Sequence, residues 1–321
     1  MLPFEFRRNA ARRSPQGTET KPKAMEKIYL SDAGPKVSPA IYGFYRWSDA
    51  VTDAATMERI VSLCLDLGIN TFDHADWYGD YQCEALFGQV IRQKKLRRDS
   101  LVLFTKCGLR QPHASQPGIR VRHYDSSSRY VQQCVEKSLR NLQTDYIDIF
   151  LLDHLDPISN LEETAVTLRN LKESGKVKNI GVANFSVFQH QLLASYLQLP
   201  IVTNHIELNL LNTTALDNGQ LDYIKQRYMR PLASAPLAAG RIAKGTDVLA
   251  TNVRNKLEEI SKKYNSDRES IAVAWLLKLG ALPLIGTTDE QRIRNIVAAF
   301  QIELDNQDWY ELYQVSKETA L

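Results

Sequence analysis

The chain has 321 residues, 44% of them hydrophobic and 24% charged, which is enough to bury one large core or two ordinary ones. Its formal net charge of +3 is uneven: the first 24 residues, "MLPFEFRRNAARRSPQGTETKPKA", carry +4, leaving about −1 for the rest and no basic face to argue for nucleic acid. No apolar run approaches the roughly 18 residues that span a bilayer, and Cys64, Cys83, Cys107 and Cys134 lack CxxC or metal-ligand spacing, so they read as reduced thiols of a cytosol-like compartment.

Residues 1–24 lack the continuous apolar core of a secretory signal. They read as a disordered leader or as an over-long start with Met25 as the initiator; an organelle transit peptide is a third reading, weakened by two acids. From Met25 to Leu321 the chain reads as one domain. "MEKIYLSDAGPKVSPA" suggests a hairpin, "AIYGFYRW" (40–47) a first strand and "TDAATMERIVSLCLDLG" a helix stopped at Gly68. "TFDHA" and "LVLFTKCG" (101–108) are the next strands, followed by the helices "CEALFGQVIRQ" and "SSSRYVQQCVEKSLRNLQ". "YIDIFLLD" (146–153) precedes the helix "LEETAVTLRNLKESG". "VKNIGVAN" (177–184), "IVTNHIEL" (201–208), "RPLASAPL" (230–237) and "ALPLIG" (281–286) complete eight strands, each followed by a helix-like segment. "LDNQDWYELYQVSKETAL" reads as a final helix.

Strands that are β-branched or aliphatic on both faces fit a parallel sheet covered on both sides. Eight β-then-α units in series predict a closed (β/α)8 TIM barrel with an N-terminal β-hairpin and a C-terminal helix. An open doubly wound sheet would want a GxGxxG loop after an early strand, and the sequence has none.

In such a barrel the chemistry lies at the C-terminal strand ends. Those ends supply Asp73 with Tyr78 on its loop, then Lys106, Asp153 with His154, Asn184, and His205 with Glu207. Lys106 can neutralise Asp73 where both are partly dry. A cation beside Tyr78 would lower a phenol pKa of about 10 and make it a better proton donor to an oxyanion. The competing reading is a structural Asp73–Lys106 pair with Tyr78 as a rim aromatic.

"TFDHADWYG", "LFTKCG", "GVANF", "TNHIE", "APLAAGR" and "PLIGTTDEQRIRN" follow one another in the order of the motifs of the aldo-keto reductase superfamily, which the chain resembles from about residue 27 to 300. Within that superfamily it resembles the bacterial oxidoreductase group exemplified by YdhF, which shares the wording "DHADxYGxYQCExxFG". The resemblance implies a (β/α)8 barrel using NADPH/NADP+, with Tyr78 as acid/base, Lys106 as its pKa modulator and Asp73 as the lysine's partner. It implies that Asn184 and His205 meet the nicotinamide carboxamide. It also implies that Pro236 and Leu237, with the backbone from Ala238 to Arg241, cover the pyrophosphate. Gly286, Thr287, Thr288 and Arg292 would receive the 2′-phosphate, an arginine offering a fixed donor fork, and Asn295 would lie near the adenine. The family is often monomeric and cytoplasmic.

Several positions depart from the family pattern. Asp153 stands where the family has a histidine, with His154 one place later, and neighbours on a strand point to opposite faces unless the strand end bends. An ionised Asp153 repels a developing alkoxide; a protonated one donates a hydrogen bond, as in members that reduce activated C=C bonds. Ala183 replaces a serine, His205 a glutamine, and Ser234 the aromatic ring that stacks on the nicotinamide. These departures leave three readings: reduction of a small-molecule carbonyl, reduction of an enone, or a nucleotide-binding barrel that acts as a redox sensor or partner-binding subunit. His74 and Asp76 flank the motif without a third ligand at suitable spacing, so no metal site is expected. His123 and Tyr124 lie on a long loop over the mouth. Trp47, Trp77 and His154 are candidate substrate-pocket residues, with plain packing as the alternative for the two tryptophans.

Overall fold

Eight parallel strands close into a barrel in the computed structural model, which describes residues 25–47 and 53–317. They are β1 (Ile41–Gly43), β2 (Thr71–Asp73), β3 (Val102–Cys107), β4 (Ile147–Asp153), β5 (Val177–Ala183), β6 (Ile201–Glu207), β7 (Leu232–Ser234) and β8 (Leu282–Ile285). Each pairs with the next in sequence and β8 pairs with β1, so no edge is left open. All eight expected strands form, each shorter than its apolar run. The expectations for residues 1–24 lie outside the described residues.

The longer helices are α1 (Ala54–Asp66), α2 (Cys83–Gln93), α3 (Ser128–Leu142), α4 (Leu161–Glu173), α5 (Val187–Leu197), α6 (Gln220–Gln226), α7 (Val248–Lys263), α8 (Arg268–Lys278), α9 (Glu290–Ala298) and α10 (Asn306–Val315). Several start on side chains that satisfy free backbone N–H groups: Asp53 caps α1, Ser127 caps α3, and Ser186 with Gln189 forms a capping box on α5. Two long helices, α7 and α8, separate β7 from β8, after a short helix at Arg241–Lys244. The second, α8, is locked to α10 by Trp275 and Trp309, stacked 5.2 Å apart, each indole N–H donating to the other's backbone carbonyl.

The expected hairpin forms from Ile28–Tyr29 and Lys36–Val37. Leu30 and Val37 are fully buried against barrel residues such as Phe104, Leu151 and Leu282, so the hairpin is packed into the same core as the strand interiors. Such a filled core leaves chemistry to the strand ends. Among the described residues, no helix is long and apolar enough to cross a membrane.

Candidate active site

Backbone hydrogen bonds join neighbouring strand ends around much of the mouth. Phe44 N–H donates to Asp73, His74 to Phe104, Asp76 to Lys106, His154 to Ala183 and Asn184 to His205, all at 2.8–3.1 Å. These bonds hold side chains from distant parts of the sequence in fixed relation. Gly108, just past β3, has φ of +135°, and a Cβ there would lie 2.1 Å from the Asp153 carbonyl oxygen, so only glycine fits this close crossing.

Lys106 and Asp73 are buried together, their side chains 3% and 0% exposed. The ammonium donates to Asp73 Oδ1 at 2.8 Å, Asp73 Oδ2 at 2.7 Å and the His74 carbonyl at 2.9 Å. Its three donors are thereby used, which offsets the cost of a buried charge pair. Tyr78 is also buried, and Lys106 Nζ lies 4.6 Å from the centre of its ring. The lysine thus acts on Tyr78 as a charge beside the ring, with no donor left for the hydroxyl. The lowering of the phenol pKa expected from this cation is not the net direction. Burial pushes Tyr78 well above its ordinary value, and the charges of Asp73 and Asp153 add to that.

Tyr78 opens a tight turn in which Gly79 and Asp80 both adopt φ of +53°. Trp77 meets it edge-on at 4.9 Å and Tyr45 at 5.5 Å, with Tyr45 largely exposed. Sequence reasoning missed Tyr45; its place two residues after β1 was the available signal. Trp47 packs into the core beside Phe44 and donates to the Tyr42 hydroxyl at 3.2 Å, so of the two candidate tryptophans only Trp77 borders Tyr78.

Asp153 and His154 do not point to opposite faces. His154 has φ of +60°, which ends the strand alternation and brings its Nδ1 to 2.7 Å from Asp153 Oδ1. Asn184, also at φ of +60°, donates from Nδ2 to the same oxygen at 2.8 Å. Burial pushes the Asp153 carboxyl up, but the hydrogen bond and charge of His154, with Lys106 and Asn184, outweigh it and hold the group below the usual carboxylate range. The charged form is therefore the one this site favours. The His154 ring stacks on Tyr124 at 4.6 Å, and Tyr124 belongs to a two-stranded ribbon, Leu109–Arg110 with His123–Tyr124, inside the long mouth loop.

His74 and Asp76 diverge. His74 is sandwiched by Phe44 and Phe87, while Asp76 accepts from the Tyr130 hydroxyl at 2.6 Å. Burial raises the Asp76 carboxyl to about 7, against the bond from Tyr130.

On the opposite side of the mouth, several polar groups lack partners. His205 is buried with neither ring nitrogen hydrogen-bonded, and burial lowers its pKa to about 4, so the ring is neutral near pH 7. Asn204 Oδ1 is buried and unpartnered as well. Such orphaned groups each cost about 1–3 kcal/mol unless a ligand satisfies them. A carboxamide, which both donates and accepts, suits a neutral imidazole beside the Asn184 amide. Ser234 ends β7 at the register of Glu207 and offers no ring for stacking. Ala238 and Ala239 carry φ of +50° and +54°, so the loop from Pro236 to Arg241 is tightly folded. Arg241 pairs with Asp247 at 3.1 Å.

After β8, the Thr287 carbonyl accepts from Tyr42, and Gly286 and Thr288 lie in the same turn before α9. Arg292, in the first turn of α9, is engaged by Glu269: Nε is 2.9 and 3.1 Å and Nη2 2.6 Å from its carboxylate oxygens. One guanidinium edge is therefore occupied. Asn295 bonds Gln291 on the same helix at 2.8 Å. The residue types in this half fit a dinucleotide phosphate.

Comparison with known proteins agrees with this geometry. The sequence model of the Aldo/keto reductase family matches residues 40–317. The chain is 37% identical over 301 residues to a 6-dehydroglucose reductase of Agrobacterium fabrum, covering 92% of this chain and 100% of that one. It is 32% identical over 291 residues to the oxidoreductase YdhF of Escherichia coli, covering 90% and 96% respectively. A thermostable aldo-keto reductase, Tm1743, crystallised with the inhibitor epalrestat, superimposes with a TM-score of 0.77 at 23% identity over 91% of this chain and all of that one, a likeness of fold. With a closed eight-stranded barrel and a family match over most of its length, the chain belongs to the aldo/keto reductase family of oxidoreductases.

Proposed function

We propose that the protein is an NADPH-dependent reductase acting on the carbonyl of a small organic substrate, with Tyr78 as proton donor. The observation that carries this reading is the burial of Tyr78 against Lys106 and Asp73 at the C-terminal strand ends. A phenol raised well above its ordinary value stays protonated near neutrality, so it holds the proton that the developing alkoxide needs. The Lys106 ammonium beside the ring stabilises the phenolate left after donation. Asp73 holds that ammonium in place.

When bound, NADPH supplies the hydride. Asn184 and His205 would hold its carboxamide, and Pro236, Leu237 and the backbone to Arg241 its pyrophosphate. Gly286, Thr287, Thr288 and Arg292 would take the 2′-phosphate, with Asn295 towards the adenine. Ser234 supplies no stacking surface, so the carboxamide contacts bear more of the ring's orientation. Trp77 and His154 would flank the substrate. The charged state favoured for Asp153 speaks against its serving as a neutral donor in C=C reduction. A cytoplasmic monomer is the setting that the family suggests.

Fluorescence quenching on titration with NADPH tests the cofactor, and its absence removes the enzyme reading in favour of a sensing or partner-binding barrel. Single-turnover NADPH oxidation with aldehydes, quinones and enones then tests the chemistry. Tyr78→Phe is expected to slow carbonyl reduction by about 10²–10⁴-fold while NADPH affinity holds. An unchanged rate rules Tyr78 out as the acid.

A further inference from the structure

The turn that carries Tyr78 has a backbone that local preference does not explain. The next three residues, Gly79, Asp80 and Tyr81, have φ of +53°, +53° and +71° in succession. Glycine and aspartate tolerate the left-handed region, but a bulky aromatic rarely enters it. Such a residue persists there only where its surroundings over-determine it. Two elements supply those surroundings for Tyr81. Its hydroxyl donates to the Gln111 carbonyl at 3.0 Å, just past the Leu109–Arg110 strand of the mouth ribbon. The His113 ring lies 5.7 Å from its own, and the Lys137 ammonium of α3 is 5.2 Å from the ring centre.

The segment is tied down before Tyr78 as well. Asp76 accepts from the Tyr130 hydroxyl of α3 at 2.6 Å, and its N–H donates to the Lys106 carbonyl. Tyr78 sits between these two anchors. Its side chain makes ring contacts with Lys106, Trp77 and Tyr45 and, among the described residues, no hydrogen bond. The place of its hydroxyl is therefore set by the backbone of the turn and the rings around it. As a mere spacer at position 81, tyrosine is a worse choice than glycine or asparagine. What it adds is the phenol that reaches Gln111.

We propose that Tyr81 is a positioning residue for the reduction. By tying the left-handed end of the turn to the mouth ribbon, it keeps the Tyr78 hydroxyl within proton-transfer reach of the substrate oxygen. This rests on the carbonyl-reductase reading above and adds a residue that acts through Tyr78 alone. A displacement of about 1 Å at a reacting group can cost about 10²-fold in rate, so loosening this anchor should be felt in the chemical step. Dinucleotide binding on the β6–β8 side should be spared.

The test is single-turnover NADPH oxidation by a saturating aldehyde in wild type, Tyr81→Phe and Tyr81→Gly, each also combined with Tyr78→Phe. Phenylalanine keeps the ring beside Lys137 and removes the bond to Gln111; glycine suits the backbone and removes the side chain. We expect Y81F to slow the step about threefold to tenfold and Y81G about 10²-fold, with NADPH affinity and the aldehyde KM within about twofold of wild type. With Tyr78→Phe in place, neither change should slow the reaction further, because the group being positioned is gone. A loss of the same size in both backgrounds overturns the proposal, since a general loosening of the fold slows either protein. So does a Tyr81→Gly protein that reacts at the wild-type rate, or one whose loss lies in NADPH affinity or KM. If Tyr81→Gly does not fold, Tyr81→Phe decides by the same comparison. The reductase reading fails differently: wild type then oxidises NADPH with no aldehyde, or Tyr78→Phe is as fast as wild type. Either result removes the proposal together with that reading. A slow Tyr78→Phe beside an unaffected Tyr81→Gly removes the proposal alone.

Discussion

The two halves of the barrel mouth are built on opposite terms. On the β2–β4 side the charged groups nearest Tyr78 have counterparts: Lys106 uses all three donors, Asp73 accepts two of them, and Asp153 is held by His154 and Asn184, although the His74 ring and Asp76 Oδ1 on the same side are buried without partners. On the β6–β8 side His205 and Asn204 keep buried polar atoms without partners, and Arg292 is engaged by Glu269 on one edge. The Asp73–Lys106 pair beside Tyr78 thus stands assembled without a ligand, as the proposed proton transfer would require. A dinucleotide bound as proposed would supply the partners that His205 lacks.

Breaking the assembled half is expected to cost most. Lys106→Met leaves Asp73 as a buried charge without its cation, so we expect a loss of about 3–5 kcal/mol in stability and at least about 10³-fold in turnover. Adding Asp73→Asn should recover most of the stability and none of the turnover. Urea unfolding with single-turnover NADPH oxidation checks both. A single mutant as stable as wild type would mean that Asp73 is already compensated elsewhere.

The polar shell behind Tyr78 should be nearly as sensitive, through pH. Asp76 has a folded pKa of about 7 against 3.8 when free. Between those values the native state binds more protons than the unfolded one, so stability is full below about pH 4 and falls as pH rises to about 7. The loss is on the order of 4 kcal/mol. Asp76→Asn removes this dependence, and the difference between the two proteins, followed by chemical denaturation from pH 4 to 8, should grow with pH and level off above 7. A difference that stays constant would show Asp76 ionised throughout.

The sequence made the fold legible because periodicity carries over long stretches. Eight apolar runs with helical intervals leave few topologies, and all eight strands form in a closed ring. It also made the strand ends legible, and with them Asp73, Lys106 and Asp153. The orientation of His154 was not legible. A strand places neighbours on opposite faces, and a single φ of +60° at a non-glycine residue overrides that without a composition signal. Nor was Tyr45, whose approach to Tyr78 depends on the turn after β1. The net pKa direction of Tyr78 depended on burial, which outweighs a neighbouring cation whose donors are used elsewhere.

Asp153 offers a smaller and more diagnostic change, because its charge reaches the tyrosine. Replacing it by asparagine removes one of the groups that push the Tyr78 phenol up. The chemical step with an unsubstituted aldehyde should then quicken by about threefold to tenfold, following the better acid. Single-turnover rates with propanal, measured from pH 6 to 9, read this directly. A slower step would mean that the carboxylate helps rather than hinders the alkoxide.

The smallest expected effect belongs to the β6–β8 side. If Arg292 receives the 2′-phosphate of NADPH, Glu269 competes for the same guanidinium, holding Nε and Nη2 in a bidentate grip. Glu269→Gln keeps the shape of that partner but removes its charge, and both side chains are partly exposed, so the gain is modest. NADPH affinity is expected to rise about threefold, while NADH, which has no 2′-phosphate, should bind as before. Titration with the two cofactors in both proteins separates this from a general loosening of α9, which would change NADH binding as well. Equal gains for the two would place the phosphate away from Arg292, and the cofactor preference would then have to come from Thr287 and Thr288.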